Sequence, residues 1–151
     1  MKVNNKRIPS DTYKEFHRLM PILCVDLVVK HHDRFLLVKR KNKPAQGKWW
    51  FPGGRVWKGE TLKASAKRKL KEEVGLKTNE PILLGFEETF FRDGPFGDPT
   101  HSINAVFMIT VTSKTVPVLD NQSSNAMWYD NVDRKWDGYV KKFLALSQDL
   151  S

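Results

Sequence analysis

Apolar and polar positions fall into blocks along the chain, and the blocks read as interleaved strands and helices. Met1 to Arg7 is polar and basic with no apolar period, so residues 1–9 are expected to form a flexible arm. Ser10 is placed to cap a short helix through Leu19, which Pro21 ends. Ile22 to Val29 is an apolar run rich in β-branched residues and interrupted by one charge, Asp26. Arg34 to Lys39 is a second such run, and the polar His31-His32-Asp33 between them makes the two a strand pair. Lys41 to Gly47 reads as a loop, and Trp49 to Phe51 as a short aromatic strand stopped by Pro52-Gly53-Gly54. From Thr61 to Val74 the period lengthens. Leu62, Ala66, Leu70 and Val74 recur every four residues, and Gly75 is a stop signal. Strands are expected at Pro81 to Phe91 and Ser102 to Thr112, with a loop from Arg92 to Thr100 between them. A polar loop from Asn121 to Asn125 precedes a short strand, Ala126 to Tyr129, and a closing helix from Val132 to Leu146. No repeat or low-complexity segment interrupts this order. The expectation is one mixed α/β domain over residues 1–151.

Composition narrows the class. A length of 151 residues with 40% hydrophobic and 28% charged side chains supports one packed core and argues against disorder. No run of about 18 apolar residues is present, so no membrane span is expected. Met1 to Ser10 carries no apolar signal core, which leaves a cytoplasmic location as the default. Cys24, the one cysteine, has no internal disulfide partner and reads as a small buried hydrophobe rather than a nucleophile. The formal charge of +9 favours anionic partners. The cations are scattered, with denser groups at Lys39 to Lys43 and Lys67 to Lys71, as a solvated basic surface would have them. No helix-turn-helix, zinc or RNA-recognition signature is present, so nucleic acid is not an expected partner.

The segment from Gly53 to Leu76 carries candidate chemistry. A glycine pair permits a tight turn and a close approach of backbone to ligand. The helix that follows places position 69 on one face with Glu72 and Glu73. Two carboxylates joined by a main-chain oxygen form a hard-oxygen site suited to magnesium or manganese, and thereby to phosphate. The plainer alternative is an amphipathic helix with a Lys/Glu surface. The spacing decides between them. Gly54, Glu60, Arg68, Leu70, Glu72, Glu73, Gly75 and Leu76 all fall on the pattern of the Nudix box, which this segment resembles. Lys69 departs from it, standing where the box has glutamate. An ammonium at that place does not ligate a metal. It pairs with Glu72 or Glu73, partly replacing a cation, or points at substrate phosphate, so fewer metals or another base are expected.

The chain is further similar to the GDP-mannose mannosyl hydrolase branch of the Nudix hydrolases. Pro21, Val25-Asp26, Phe35-Leu36-Leu37, Lys39-Arg40, Pro44-Ala45-Gln46-Gly47, the Trp49-Trp50 region and Pro52-Gly53-Gly54-Arg55-Val56 carry that similarity. The resemblance implies an α/β/α sandwich with a mixed central sheet, a small-molecule nucleotide substrate and a homodimer. It implies magnesium, or manganese, held by Gly53, Glu73 and Gln122; Glu72, a carboxylate that branch lacks, is added to this metal set by the ordinary Nudix box. It also implies that Asp26 and Arg40 contact the nucleotide and that Arg55 holds the departing diphosphate, with Arg40, Arg55 and Glu73 as the catalytic set. Each has a plainer alternative, as a paired strand residue or a solvated charge. One of Trp49 and Trp50 should be core and the other should line the pocket. The branch has a histidine base after its metal-binding glutamine, and here Ser123 follows Gln122. His101 and Glu88 are spare candidates for that base. Two reactions stay open: attack at the sugar carbon, releasing GDP and free sugar, or attack at phosphorus. A nucleotide-binding module without turnover is a third reading.

Overall fold

A computed structural model describes residues 1–75, 78, 80–112 and 123–150. The elements are α1 (Ser10–Leu19), β1 (Ile22–His31), β2 (Arg34–Arg40), β3 (Trp49–Trp50) and β4 (Gly53–Arg55). They continue as α2 (Leu62–Val74), β5 (Ile82–Phe91), β6 (Thr100–Thr110), β7 (Ser123–Tyr129) and α3 (Gly138–Gln148). Among the described residues no helix is long and apolar enough to cross a membrane.

Local chemistry explains most boundaries. Thr61 caps α2 by accepting from the Ala64 N–H at 3.2 Å, and Gly75 ends it at φ 68° in the left-handed region. Ser10 does not cap α1. Pro9 takes that place, and no side chain caps the helix; Ser10 is its first residue. The closing helix starts at Gly138 rather than Val132. Asp133 accepts from the Lys135 N–H at 2.8 Å, a local bond that competes with the helical ladder, and Asp137 then caps α3 through the Tyr139 N–H. Strand β7 begins at Ser123, inside the segment read as loop, because its polar residues pair through backbone with Lys39 and Arg40 of β2. The N-terminal arm lies against the Lys58–Gly59 turn: the Asn4 N–H donates to the Lys58 carbonyl at 2.9 Å, and a Cβ at Gly59 would meet the Lys2 carbonyl.

The described strands form one mixed sheet in the order β3-β2-β1-β6-β5, with β4 paired to β1 and β7 to β2. β1 and β6 run parallel over nine residue pairs, and β5 returns antiparallel along β6. Strand alternation divides the apolar residues between two faces. Val25, Leu27 and Val29 of β1, with Ala105, Phe107 and Ile109 of β6, pack on Ala66, Leu70 and Val74 of α2. Val28, Phe35, Leu37 and Val106 pack on Val140, Phe143 and Leu144 of α3. The layers are helix, sheet, helix.

One departure from a regular sheet opens the site. β1 pairs with β2 only from Val29 to His31, and its earlier residues take β4 as partner instead. The same alternation that buries Val28 against α3 puts Cys24 and Asp26 on that face as well, and both border a cleft. α1 lies over β6 near this end, through His17 and Thr100.

Candidate active site

Gly53 and Gly54 lie in an extended strand, not in a turn, and neither has a positive φ. Close approach is why they are glycines. A Cβ at Gly53 would overlap Asp26 Oδ1 and the Val25 carbonyl oxygen, and one at Gly54 would lie 2.7 Å from Lys69 Cε. β4 is thus pressed between the floor strand and the buried stem of Lys69.

On α2 the four-residue period brings Lys69 and Glu73 together, both buried at 7% and 3% exposure. Lys69 Nζ stands 2.9 Å from Glu73 Oε1 and 3.4 Å from Glu72 Oε2. The second oxygen of Glu73 accepts the Gly53 N–H at 3.1 Å. Arg68 makes the frame around this group. It grips Glu60 with two bonds of 2.7 and 2.9 Å and donates to Glu72 Oε2 at 3.1 Å. It also donates to the Arg55 carbonyl at 3.0 Å and lies 3.7 Å over the Trp57 ring. Burial pushes the Glu60 carboxyl up, but bonds from Arg68 and the Trp57 N–H outweigh it, and the group ends below the usual range.

The cleft has a volume of about 430 Å³. At one end are Gly53, Gly54, Arg55, Arg68, Lys69 and Glu72. Arg40 and Lys43 stand on its rim, with the Arg40 Nε–H held by the Pro44 carbonyl at 2.6 Å. Asp26 is in the floor. The Tyr139 hydroxyl donates to its Oδ2 at 2.6 Å, and the Trp50 indole donates to the same carboxyl. Burial raises Asp26 to about 6, against the opposing effects of Tyr139, the Arg40 charge and Trp50. Cys24 lines the cleft too. Burial pushes its thiol up to about 12, so it is a wall and not a nucleophile.

Five of the expected site residues, Asp26, Arg40, Gly53, Arg55 and Glu72, border this one cleft, and Glu73 is bonded to its edge through Gly53 and Lys69. Gln122 lies outside the described residues, as does Leu76. Ser123 is backbone-paired with Arg40. His101 and Glu88 are not part of the cleft wall; they bond to each other at 3.1 Å, and His101 stacks on Phe90. Trp50 is both core and pocket lining, stacked on Tyr139 with ring centroids 5.1 Å apart, whereas Trp49 packs on Tyr129. Sequence reasoning missed Tyr13, His17, Asn104 and Tyr139. Tyr13 and His17 look like the surface of a short helix until the sheet brings them to the cleft, and Tyr139 looks like the core of α3 until its hydroxyl meets Asp26 in the cleft floor.

The donors suit one hard cation better than a cluster. Among the described residues no three His, Cys, Asp or Glu side chains converge. The carboxylates of Glu72 and Glu73 beside Gly53 are hard donors of the kind magnesium takes. The Lys69 ammonium already sets one positive charge against the same oxygens.

A family model described as NUDIX domain matches residues 20–141. The chain is 32% identical over 140 residues to the low-salt glycan biosynthesis protein Agl8 of Haloferax volcanii, covering 91% of this chain and 89% of that one. It is 40% identical over 93 residues to an ADP-ribose pyrophosphatase of Methanocaldococcus jannaschii, covering 62% of this chain and 53% of the relative. In fold it resembles the NUDIX domain of Shewanella oneidensis NrtR, solved with ADP ribose, with a TM-score of 0.71 at 19% identity, covering 95% and 99% of the two chains. It likewise resembles a MutT NUDIX hydrolase from Burkholderia pseudomallei, with a TM-score of 0.69 at 23% identity, covering 85% and 98%.

Proposed function

The chain belongs to the Nudix hydrolase family, and on that premise we propose that it hydrolyses a nucleoside diphosphate sugar, in the manner of a GDP-mannose mannosyl hydrolase. The observation that carries this reading is a single cleft that joins the Glu72/Glu73 end to two arginines and to a buried carboxylate. A cleft of about 430 Å³ is within the usual range for a small ligand. Arg55 and Arg40 face a diphosphate with planar guanidinium groups that bind two oxygens at once. Their charge stabilises the diphosphate as it departs, which is catalysis by fixed electrostatics. Asp26, held by Tyr139 and Trp50, accepts hydrogen bonds from the nucleotide.

Members of the family generally use divalent metals such as magnesium. In this reading Glu73, Glu72 and Gly53 hold the magnesium, or manganese, and the bound ion supplies further positive charge to the diphosphate. Lys69 keeps the two carboxylates compensated, and Arg68 keeps Glu72 and the Arg55 backbone in place.

Attack at phosphorus is a second reading, favoured by Glu72 standing beside Glu73 and by the similarity to an ADP-ribose pyrophosphatase. Hydrolysis of GDP-mannose and ADP-ribose in oxygen-18 water, followed by phosphorus NMR and mass spectrometry, separates the two. Carbon attack labels the free sugar and releases an unlabelled nucleoside diphosphate. Phosphorus attack yields a nucleoside monophosphate and a sugar phosphate, with the label on the phosphate that was attacked. Absence of turnover of any nucleoside diphosphate derivative with magnesium or manganese would sink the proposal.

A further inference from the structure

The wall contributed by α1 is chemically unlike the rest of the cleft. His17 is the one histidine of the four that lines it. Its Nδ1 is bonded to the buried Thr100 hydroxyl at 2.7 Å, which fixes the ring from behind. Its Nε2 is buried and meets no hydrogen-bonding atom among the described residues. Leaving such a nitrogen unmet is unfavourable, so its placement needs a reason. The ring is enclosed by aromatic faces instead, with Tyr13 at 4.6 Å and Phe96 at 5.5 Å between centroids. Tyr13 in turn shares a hydrogen bond with Arg55 and lies 5.6 Å beneath its guanidinium. The order along the cleft is therefore Asp26, then Arg55 opposite Cys24, then His17 and Thr100 beyond Ile22 and Ser102.

Resting on the reading of Arg55 as the diphosphate contact, we propose that Tyr13, His17 and Thr100 form the subsite for the sugar, with Phe96 packed beside them and His17 Nε2 hydrogen-bonding a sugar hydroxyl. The chemistry is that of a carbohydrate site: aromatic faces for the C–H surface of the ring and one directed polar atom for a hydroxyl. Burial holds His17 below the ordinary histidine range, so the imidazole is neutral near pH 7. A neutral ring pairs with a hydroxyl, as donor or acceptor, rather than with the phosphate charge. Phe96 packs beside the His17 ring on a loop whose neighbours Pro95, Gly97 and Asp98 are exposed, and the proposal has a sugar reaching Nε2 displace that ring.

Calorimetry with calcium as the divalent ion, with phosphorus NMR checking that each ligand stays intact, tests the subsite. The titrants are GDP, GDP-mannose, ADP and ADP-ribose. The unsubstituted protein should bind a sugar nucleotide more tightly than the matching bare diphosphate. His17→Ala should weaken the sugar nucleotide by about tenfold, the scale of one hydrogen bond, and leave GDP and ADP unchanged. His17→Ala also gives up the bond to Thr100, so a somewhat lower melting temperature is expected, and unchanged affinity for GDP and ADP reports that the cleft stays folded. His101→Ala, outside the cleft, should change neither affinity. In protein labelled with nitrogen-15 histidine, the His17 Nε2 resonance should move with the sugar nucleotide and not with the bare diphosphate. Equal losses for both ligand classes, or none for either, would overturn the subsite while leaving the functional reading intact. If neither class binds the unsubstituted protein, the functional reading fails, and the subsite fails with it.

Discussion

Lys69 and Asp26 are both charged side chains held out of water, at 7% exposure each. An ammonium held out of water is tolerable only against compensating charge, and Glu73 and Glu72 supply it at 2.9 and 3.4 Å. Lys69→Glu should therefore cost the ion-free protein about 3–5 kcal/mol, because the buried Glu73 loses its partner and gains a like charge. Manganese should bind the variant more tightly than the parent and restore its melting temperature. Thermal unfolding in chelator and in manganese, with calorimetric ion titration, checks this; a variant as stable as the parent in chelator would contradict it. Asp26 is raised from 3.8 to about 6 by burial. The folded state holds the proton more tightly, so this stabilisation is complete at low pH and is lost as pH rises through about 6. A shift of two units corresponds to about 3 kcal/mol. Asp26→Asn should flatten the parent's loss of stability between about pH 4 and 6, measured by urea unfolding of ion-free protein.

At the scale of elements, β4 and α2 work as a clamp around Lys69. The sequence pattern made the glycine pair a turn, and the structure makes it a strand that carries no side chains because none would fit. Gly54→Ala keeps a backbone any residue can adopt but sets a Cβ 2.7 Å from Lys69 Cε. The lysine should be displaced, with a cost of about 1–3 kcal/mol and a drop in turnover. Combining it with Lys69→Ala should give less than the sum of the two losses, by about 0.5–3 kcal/mol of coupling, because the clash is then gone. Strict additivity in a double-mutant cycle would show that the two residues do not meet. The helix itself was legible, since the four-residue period, the Thr61 cap and the Gly75 stop are local signals. The start of α3 was not, because Asp133 and Asp137 both favour caps and only their contacts decide which one acts.

Over the whole molecule, the excess of positive charge and the split of the sheet bear on function together. The formal charge is +9, and Arg40, Lys43 and Arg55 stand at the cleft. An anionic substrate should be attracted at long range, so kcat/KM should fall as ionic strength rises from about 50 to 200 mM, where the screening length shortens towards 8 Å. Steady-state assays across a potassium chloride series would show it, and an unchanged kcat/KM would argue that the cations are locally compensated. The cleft lies where β1 changes partner from β2 to β4, which sets the Cys24–Asp26 stretch between the glycine strand and β6.

The sequence alone determined what depends on near neighbours: the order of strands and helices, their alternation, and the fixed spacing that sets Lys69, Glu72 and Glu73 on one helix face. Short-range geometry repeats in every helix and strand, so these features can be read from residue types. Only the tertiary structure decided that Tyr139 would hold Asp26 from 113 residues away, and that His17 would meet Thr100 across 83. Such pairs depend on how the sheet registers and on which face each helix covers. No local pattern encodes a contact that arises only when distant faces are packed together.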